Sequence, residues 1–200
     1  MRQKERMDIM SLVIAVKEKD RVVMMADSAE TSGEYISRIY DDGRYKVQVI
    51  GDVLVGSVGK VSNIRKLLTH PEWFDTKGEK FDKSFIVNNI VPKFYEELKN
   101  SRMLEIKEDE LPKSKATFII AVKDRLYKMF NDFSVVEYDK STSAGCTMGI
   151  VYPYIKDIEQ GQEKEKMLEA MHISAKLDSA VGAPYIYVDT VDKKYEILEG

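Results

Sequence analysis

Residues 10–28 read Met10-Ser-Leu-Val-Ile-Ala-Val16, Lys17-Glu-Lys-Asp-Arg21 and Val22-Val-Met-Met-Ala-Asp-Ser28. Two short apolar runs, Leu12–Val16 and Val22–Ala26, flank a charged turn over Glu18–Asp20, a pattern that predicts a β-hairpin. Neither run alternates apolar with polar residues, so both faces of this hairpin are buried and its sheet is covered on both sides. Ser11 stands at the start of the first strand and Asp27 at the end of the second. Hairpin geometry brings the two to one end of the sheet. If the chain began at Ser11, one residue would carry both a nucleophilic hydroxyl and a free α-amine.

The rest of the chain supplies the cover. Tyr45–Ile50 and Val53–Ser57 flank Gly51-Asp52, a second hairpin signal; Ser28–Gly33 between the hairpins reads as a polar stretch. Val61, Ile64, Leu67 and Leu68 recur at helical spacing, as do Phe85, Ile86, Ile90, Phe94 and Leu98, with Asp82 as cap and Pro92 as a kink. Residues 101–114 are charged and read as loop. Ala116–Val122, Leu126–Phe130 and Ser134–Tyr138 read as three strands. Gly145–Tyr152 reads as a helix stopped near Pro153, and Gln162–Ala180 as a helix with Met167, Met171, Ser174 and Asp178 along one face. Tyr185–Thr190 and Tyr195–Leu198 form a last hairpin. Strands, two helices, strands, two helices, strands is the order of an α+β domain, with two sheets packed together and covered by helices.

Length and charge narrow the function classes. Two hundred residues with 44% hydrophobic content fit one domain with a core that needs neither disulfide nor metal. A net charge of −3 gives no electrostatic reason to expect nucleic acid or an anionic membrane as partner. The apolar runs are too short to span a bilayer, and the first ten residues lack the apolar stretch of a secretory signal. Cys146 is the only cysteine, so no intrachain disulfide can form, which fits a reducing cytosol. The expectation is a cytoplasmic protein. His70 and His172 lack ligand spacing, and neither a metal nor a cofactor is expected.

Ser11, Asp27 and Lys46 form the sharpest constellation. Arg44-Tyr-Lys-Val-Gln-Val-Ile50 places Arg44, Lys46 and Gln48 on one face. A buried lysine facing an aspartate is costly unless the two pair, and such a pair beside a hydroxyl lowers its effective pKa. Arg44 is the rival for that role; lysine is preferred because it can change its charge state.

With these residues in place, the chain resembles the proteasome β-subunits and the peptidase subunit of the bacterial two-component ATP-dependent protease. Four stretches carry the resemblance in register: Ser11-Leu-Val-Ile-Ala-Val with its return strand ending in Ala26-Asp27; Lys46-Val with the strand ending Gly56-Ser-Val-Gly59; Ala144-Gly-Cys-Thr-Met-Gly149; and Asp178-Ser-Ala-Val-Gly182 before a strand. Together they span nearly all of residues 11–198. The resemblance implies an N-terminal-nucleophile (Ntn) hydrolase with a four-layer αββα sandwich, two mainly antiparallel sheets covered by helices. It implies Ser11 as nucleophile with its own α-amine as base, Lys46 lowering the pKa of both, Asp27 orienting Lys46, Asp178 supporting the amine, and the Gly59 N–H as oxyanion donor. It also implies a peptide or protein substrate, a homo-oligomeric ring, and an ATP-dependent unfoldase as a possible partner.

The departures carry the alternatives. The family favours Thr where Ser11 stands, Ser where Cys146 and Val181 stand, and Gly where Met10 stands. A catalytically inactive structural or assembly subunit is the second reading, and another Ntn amidohydrolase or transamidase the third. Residues 1–10 are read as an extension, a propeptide or a mis-assigned start, and residues 11–200 as the single domain. A start at Met10 followed by removal of that methionine would leave Ser11 first.

Overall fold

A computed structural model of the chain describes residues 11–32, 35–38 and 45–200. In chain order its strands are β1 (Leu12–Lys17), β2 (Val22–Ala26), β3 (Ala29–Ser32), β4 (Tyr35–Arg38), β5 (Val47–Ile50), β6 (Val53–Gly59), β7 (Ala116–Val122), β8 (Arg125–Met129), β9 (Val135–Tyr138), β10 (Ser141–Gly145), β11 (Tyr185–Asp189) and β12 (Glu196–Leu198). The helices are α1 (Val61–Leu68), α2 (Lys83–Phe85), α3 (Val91–Asn100), α4 (Met148–Ile155) and α5 (Glu163–Leu177). Two five-stranded antiparallel sheets result. Their strand orders are β10-β1-β2-β11-β12 and β5-β6-β7-β8-β9, and a small β3-β4 pair stands apart from both.

Period-two side-chain alternation distributes the apolar residues over three clusters. Val13 and Ala15 of β1 and Met24 and Ala26 of β2 meet Leu54, Ile119 and Ala121 of the second sheet. The alternate residues Leu12, Ile14 and Met25 pack on Val151, Ile155, Met167 and Met171 from α4 and α5. On the far face of the second sheet, Val55, Phe118 and Ile120 pack on Leu67, Ile90, Phe94 and Leu98. The doubly apolar hairpin is thus covered on both sides, and each large side chain so buried contributes about 1.5–3 kcal/mol. Gly56 lets the sheets approach: a Cβ there would lie 2.7 Å from Val13 Cγ1.

Several boundaries differ from expectation. Asp82 caps its helix as predicted, accepting from the Phe85 N–H at 3.0 Å. Pro92, expected as a kink, lies in the first turn of α3 directly after a wider π turn over Ile86–Ile90, and the chain stays helical to Asn100. Ser28–Gly33 is not simply polar loop, because Ala29–Ser32 pairs with Tyr35–Arg38. Ser141–Gly145 is a strand, and the helix expected over Gly145–Tyr152 occupies Met148–Ile155 with Pro153 inside it. The helix expected to reach Ala180 ends at Leu177. Asp178 is extended there, its Oδ1 accepting from the Ala180 N–H at 2.9 Å, a local turn that competes with helix continuation. Glu163, in the charged first turn of α5, is buried and accepts from the Gly161 N–H at 3.0 and 2.8 Å. Trp73 stacks on His70 and packs against the helix-side cluster of the second sheet. No helix among the described residues is long and apolar enough to cross a membrane.

Candidate active site

The β1–β2 hairpin and the start of β5 build the site. Asp27, the residue after β2, is fully buried. Its Oδ1 accepts from the Leu12 N–H at 2.8 Å and its Oδ2 from the Ala29 N–H at 2.9 Å. The Lys46 ammonium donates to both oxygens, at 2.8 and 2.9 Å, and also to the Ala29 carbonyl. The Asp27 N–H returns a bond to the Leu12 carbonyl at 3.1 Å. One carboxylate therefore joins the peptide after Ser11 to a lysine from the other sheet. Burial pushes the Asp27 carboxyl up from its ordinary range; Lys46 and the two backbone donors act in the opposite direction.

Lys46 lies just before β5 rather than within it. Its carbonyl accepts from the Ser57 N–H at 2.8 Å and from the Ser57 hydroxyl at 3.3 Å, so β6 fixes its backbone. Arg44, the rival for its role, lies outside the described residues, as do residues 1–10. Gly59 is two residues beyond Ser57 on β6. It has φ +117°, and a Cβ there would lie 2.2 Å from the Lys115 carbonyl oxygen, so the strand can close on Lys115 only with glycine.

Ser11 is buried against the end of β10. Its carbonyl accepts from the Cys146 N–H at 3.1 Å, with the Cys146 thiol 3.6 Å from the same oxygen. Gly145 makes that approach possible: its φ is +129°, and a Cβ there would stand 1.9 Å from the Ser11 carbonyl oxygen. Asp178 is brought close from the C-terminal end of α5. Burial and then the Asp178 carboxylate push the Cys146 thiol up to about 11, so it is protonated at neutral pH.

Ser11, Asp27 and Lys46 are thus gathered at one end of the β1–β2 hairpin, with Asp178 approaching through Cys146. Gly59 is tied to the group through Ser57 and Lys46. Val181 is 2% exposed and belongs to the cluster under α4 and α5, so its side chain serves the core.

Three contributors were not named from sequence. The Ser28 N–H and hydroxyl donate to the Gly182 carbonyl at 3.1 and 3.5 Å, joining the residue after Asp27 to the turn after α5. The Thr147 hydroxyl donates to the Ser174 hydroxyl at 3.0 Å, joining the turn after β10 to α5. The third is Gly145, which the sequence placed in the Ala144-Gly-Cys stretch of the resemblance without giving it a role of its own. Among the described residues no group of three or more His, Cys, Asp or Glu could hold a metal ion.

No protein-family model and no curated protein matches this sequence. Solved structures do match it in fold. Anbu, the ancestral beta-subunit, from Yersinia bercovieri superposes with a TM-score of 0.71 at 11% identity over 94% of this chain and 87% of that one. BPH from Thiobacillus denitrificans superposes with a TM-score of 0.69 at 19% identity, over 89% of this chain and 96% of that one. A complex of the same BPH with epoxomicin gives a TM-score of 0.68 at 18% identity, covering 94% of this chain and 100% of that one. Two antiparallel five-stranded sheets with helices, sharing the fold of Anbu and BPH, are therefore the scaffold on which this site is built.

Proposed function

We propose that the chain is a proteasome-like Ntn peptidase in which Ser11 is the nucleophile. The observation that carries this reading is the Asp27 carboxylate held between the Leu12 N–H and the Lys46 ammonium. It sets a cation beside the first residue of β1 in a fold shared with Anbu and BPH. The three apolar clusters support a four-layer αββα arrangement around it.

The chemistry requires Ser11 to be the first residue of the mature chain, with residues 1–10 removed or never translated. The Ser11 α-amine takes the hydroxyl proton as Oγ attacks the substrate carbonyl carbon, and the C–N bond breaks as the amine returns that proton to the leaving nitrogen. Water then attacks the resulting ester as it gives a proton to the same amine, and the amine passes that proton to Oγ as the ester C–O bond breaks, which restores the hydroxyl and releases the acid. An α-amine with a pKa of about 7.7–8.0 suits this exchange at neutral pH. Lys46 stabilises the developing negative charge, Asp27 orients Lys46, Asp178 supports the amine, and the Gly59 N–H receives the oxyanion. Assembly into a homo-oligomer belongs to the same proposal, and a helical assembly of the Anbu complex from Pseudomonas aeruginosa supports it.

The test compares wild type with Ser11→Ala, both brought to an N-terminus at residue 11 and checked by intact mass. Wild type is expected to hydrolyse peptides and to be modified at Ser11 by epoxomicin, and the variant to do neither. Equal activity in the two proteins would refute the reading. A non-catalytic assembly subunit is the second reading. It is favoured by the apolar, core-packed Val181 and the protonated Cys146 thiol, neither of which offers the hydroxyl that the family places there. Ordered oligomers from a wild type that neither cleaves peptides nor takes epoxomicin would select it.

A further inference from the structure

Lys128 is a buried cation that the scheme above does not use. It lies on β8, 5% exposed, and no ion pair joins it to a carboxylate among the described residues. Its neighbours Tyr127 and Met129 face the helix-side cluster and Leu126 faces the other sheet, so alternation turns Lys128 toward the other sheet as well. Its ammonium crosses to β10 and donates to the Ser143 carbonyl at 2.8 Å, with the Phe130 ring centroid 4.7 Å away. Burial lowers its pKa. Taking an ammonium out of water is costly, and one hydrogen bond to a carbonyl with one aromatic ring face offsets only part of that cost. Stability alone gives no reason for a lysine here.

The phase of the β1–β10 ladder shows what the bond holds. Lys17 donates to the Lys140 carbonyl and Cys146 to the Ser11 carbonyl, so the hydrogen-bonded pairs are the odd-numbered residues of β1. Ser143 is opposite Ile14, between those pairs, so its carbonyl points away from β1. β10 is the edge strand of its sheet. Lys128 therefore grips the outer edge of β10 two residues before Gly145 and three before Cys146, the two residues that seat the Ser11 carbonyl. Lys46 holds the other flank of β1 through Asp27, which follows β2. The strand carrying Ser11 is thus clamped between two neighbours, each tied by a lysine from the opposite sheet.

We propose that Lys128 is a positioning residue for Ser11, acting through β10. The proposal rests on Ser11 being the reacting residue. Lys128→Met keeps much of the apolar stem and removes the donor; Lys128→Arg restores one. In full chains processed to Ser11, Lys128→Met is expected to lower kcat for peptide cleavage about 10- to 100-fold, since a misplacement of about 1 Å costs about a hundredfold. KM should stay within about twofold, because the lysine is buried between the sheets and acts through β10. The Cys146 N–H, read by NMR hydrogen exchange, should exchange about tenfold faster, and Lys128→Arg should recover both quantities. Unchanged kcat and unchanged Cys146 exchange, with only a lowered melting temperature or aggregation through the β10 edge, would overturn the proposal. If Lys128→Met does not fold, Lys128→Leu, which also lacks a donor, carries the same measurements. A wild type without peptidase activity refutes the functional reading, and the exchange measurement then decides Lys128 separately: unchanged protection in the variant overturns its positioning role.

Discussion

Replacing Gly145 by alanine tests the seat of Ser11 most directly. The new Cβ would stand 1.9 Å from the Ser11 carbonyl oxygen, 2.8 Å from its carbonyl carbon and 3.0 Å from Leu12 Cα. All three are backbone atoms, so no side chain can swing aside. Reaching even 3.0 Å from the oxygen requires β1 and β10 to separate locally by about 1.1 Å (3.0 less 1.9). A φ of +129° adds backbone strain of about 1–3 kcal/mol for a non-glycine residue. The Cys146–Ser11 bond, worth about 0.5–1.5 kcal/mol, is lost with the separation. The sum is about 2–4 kcal/mol, which lowers the melting temperature of a 200-residue domain by about 10 °C. If Ser11 is the nucleophile as proposed, peptide turnover, assayed well below that temperature, should fall about a hundredfold because its own backbone has moved. Gly149→Ala is the control, since no atom lies within 4 Å of its Cβ and α4 should gain about 0.5–1 kcal/mol. A Gly145→Ala protein that melts with wild type and cleaves at the wild-type rate would refute this account of the seat.

Lys46→Met should cost up to about 3–5 kcal/mol in urea unfolding, less whatever protonation of the stranded Asp27 recovers. Burial raises the folded-state pKa of the Asp27 carboxyl and Lys46 opposes that, so without Lys46 it rises further and the folded variant binds more protons than folded wild type. The stability of Lys46→Met relative to wild type should therefore fall as pH rises from 4 to 7; a flat difference would count against an uncompensated carboxylate. Alkylation of Cys146, an exposed residue, by iodoacetamide should follow a titration centred near 11, and a midpoint below 9 would contradict the upward shift of the thiol. Asp178→Asn should move that midpoint down without abolishing the shift, because burial is its largest single cause.

The sequence disclosed the parts of the fold that repeat a period. The β1–β2 and β5–β6 hairpins, α1 and the β7–β9 meander all follow apolar spacing, and the Ser11–Asp27 juxtaposition follows from hairpin geometry alone. β10 stayed hidden because Ser-Thr-Ser-Ala-Gly has no branched apolar residue; the paired β1 and the Lys128 bond give it strand geometry, and both are distant in sequence. The end of α5 was misplaced because Asp178 sits at helical spacing from Ser174, yet its side chain captures the Ala180 N–H and turns the chain out. The bidentate Lys46–Asp27 contact was legible as an energetic necessity, since neither charge is tolerable alone at that depth. Gly145 was not, because a glycine's meaning lies in what its missing Cβ would strike.

The same contacts bear on how residues 1–10 relate to activity. Asp27 engages the Leu12 N–H and carbonyl, and Cys146 engages the Ser11 carbonyl. Each of these bonds acts on atoms on the C-terminal side of the Ser11 Cα. Cutting the Met10–Ser11 bond therefore leaves them in place while converting the Ser11 nitrogen from an amide, which cannot accept a proton, to an amine that can. Under the proposed function, assembly of the site and its activation are then separate: packing of two sheets and two lysines would achieve the first, and breaking one peptide bond the second. A chain that still carries Met10 should then melt within about 2 °C of one that begins at Ser11, at equal oligomeric state, while only the latter cleaves peptides. A large stability difference between the two would mean that the N-terminal segment helps build the site, and the separation would fail.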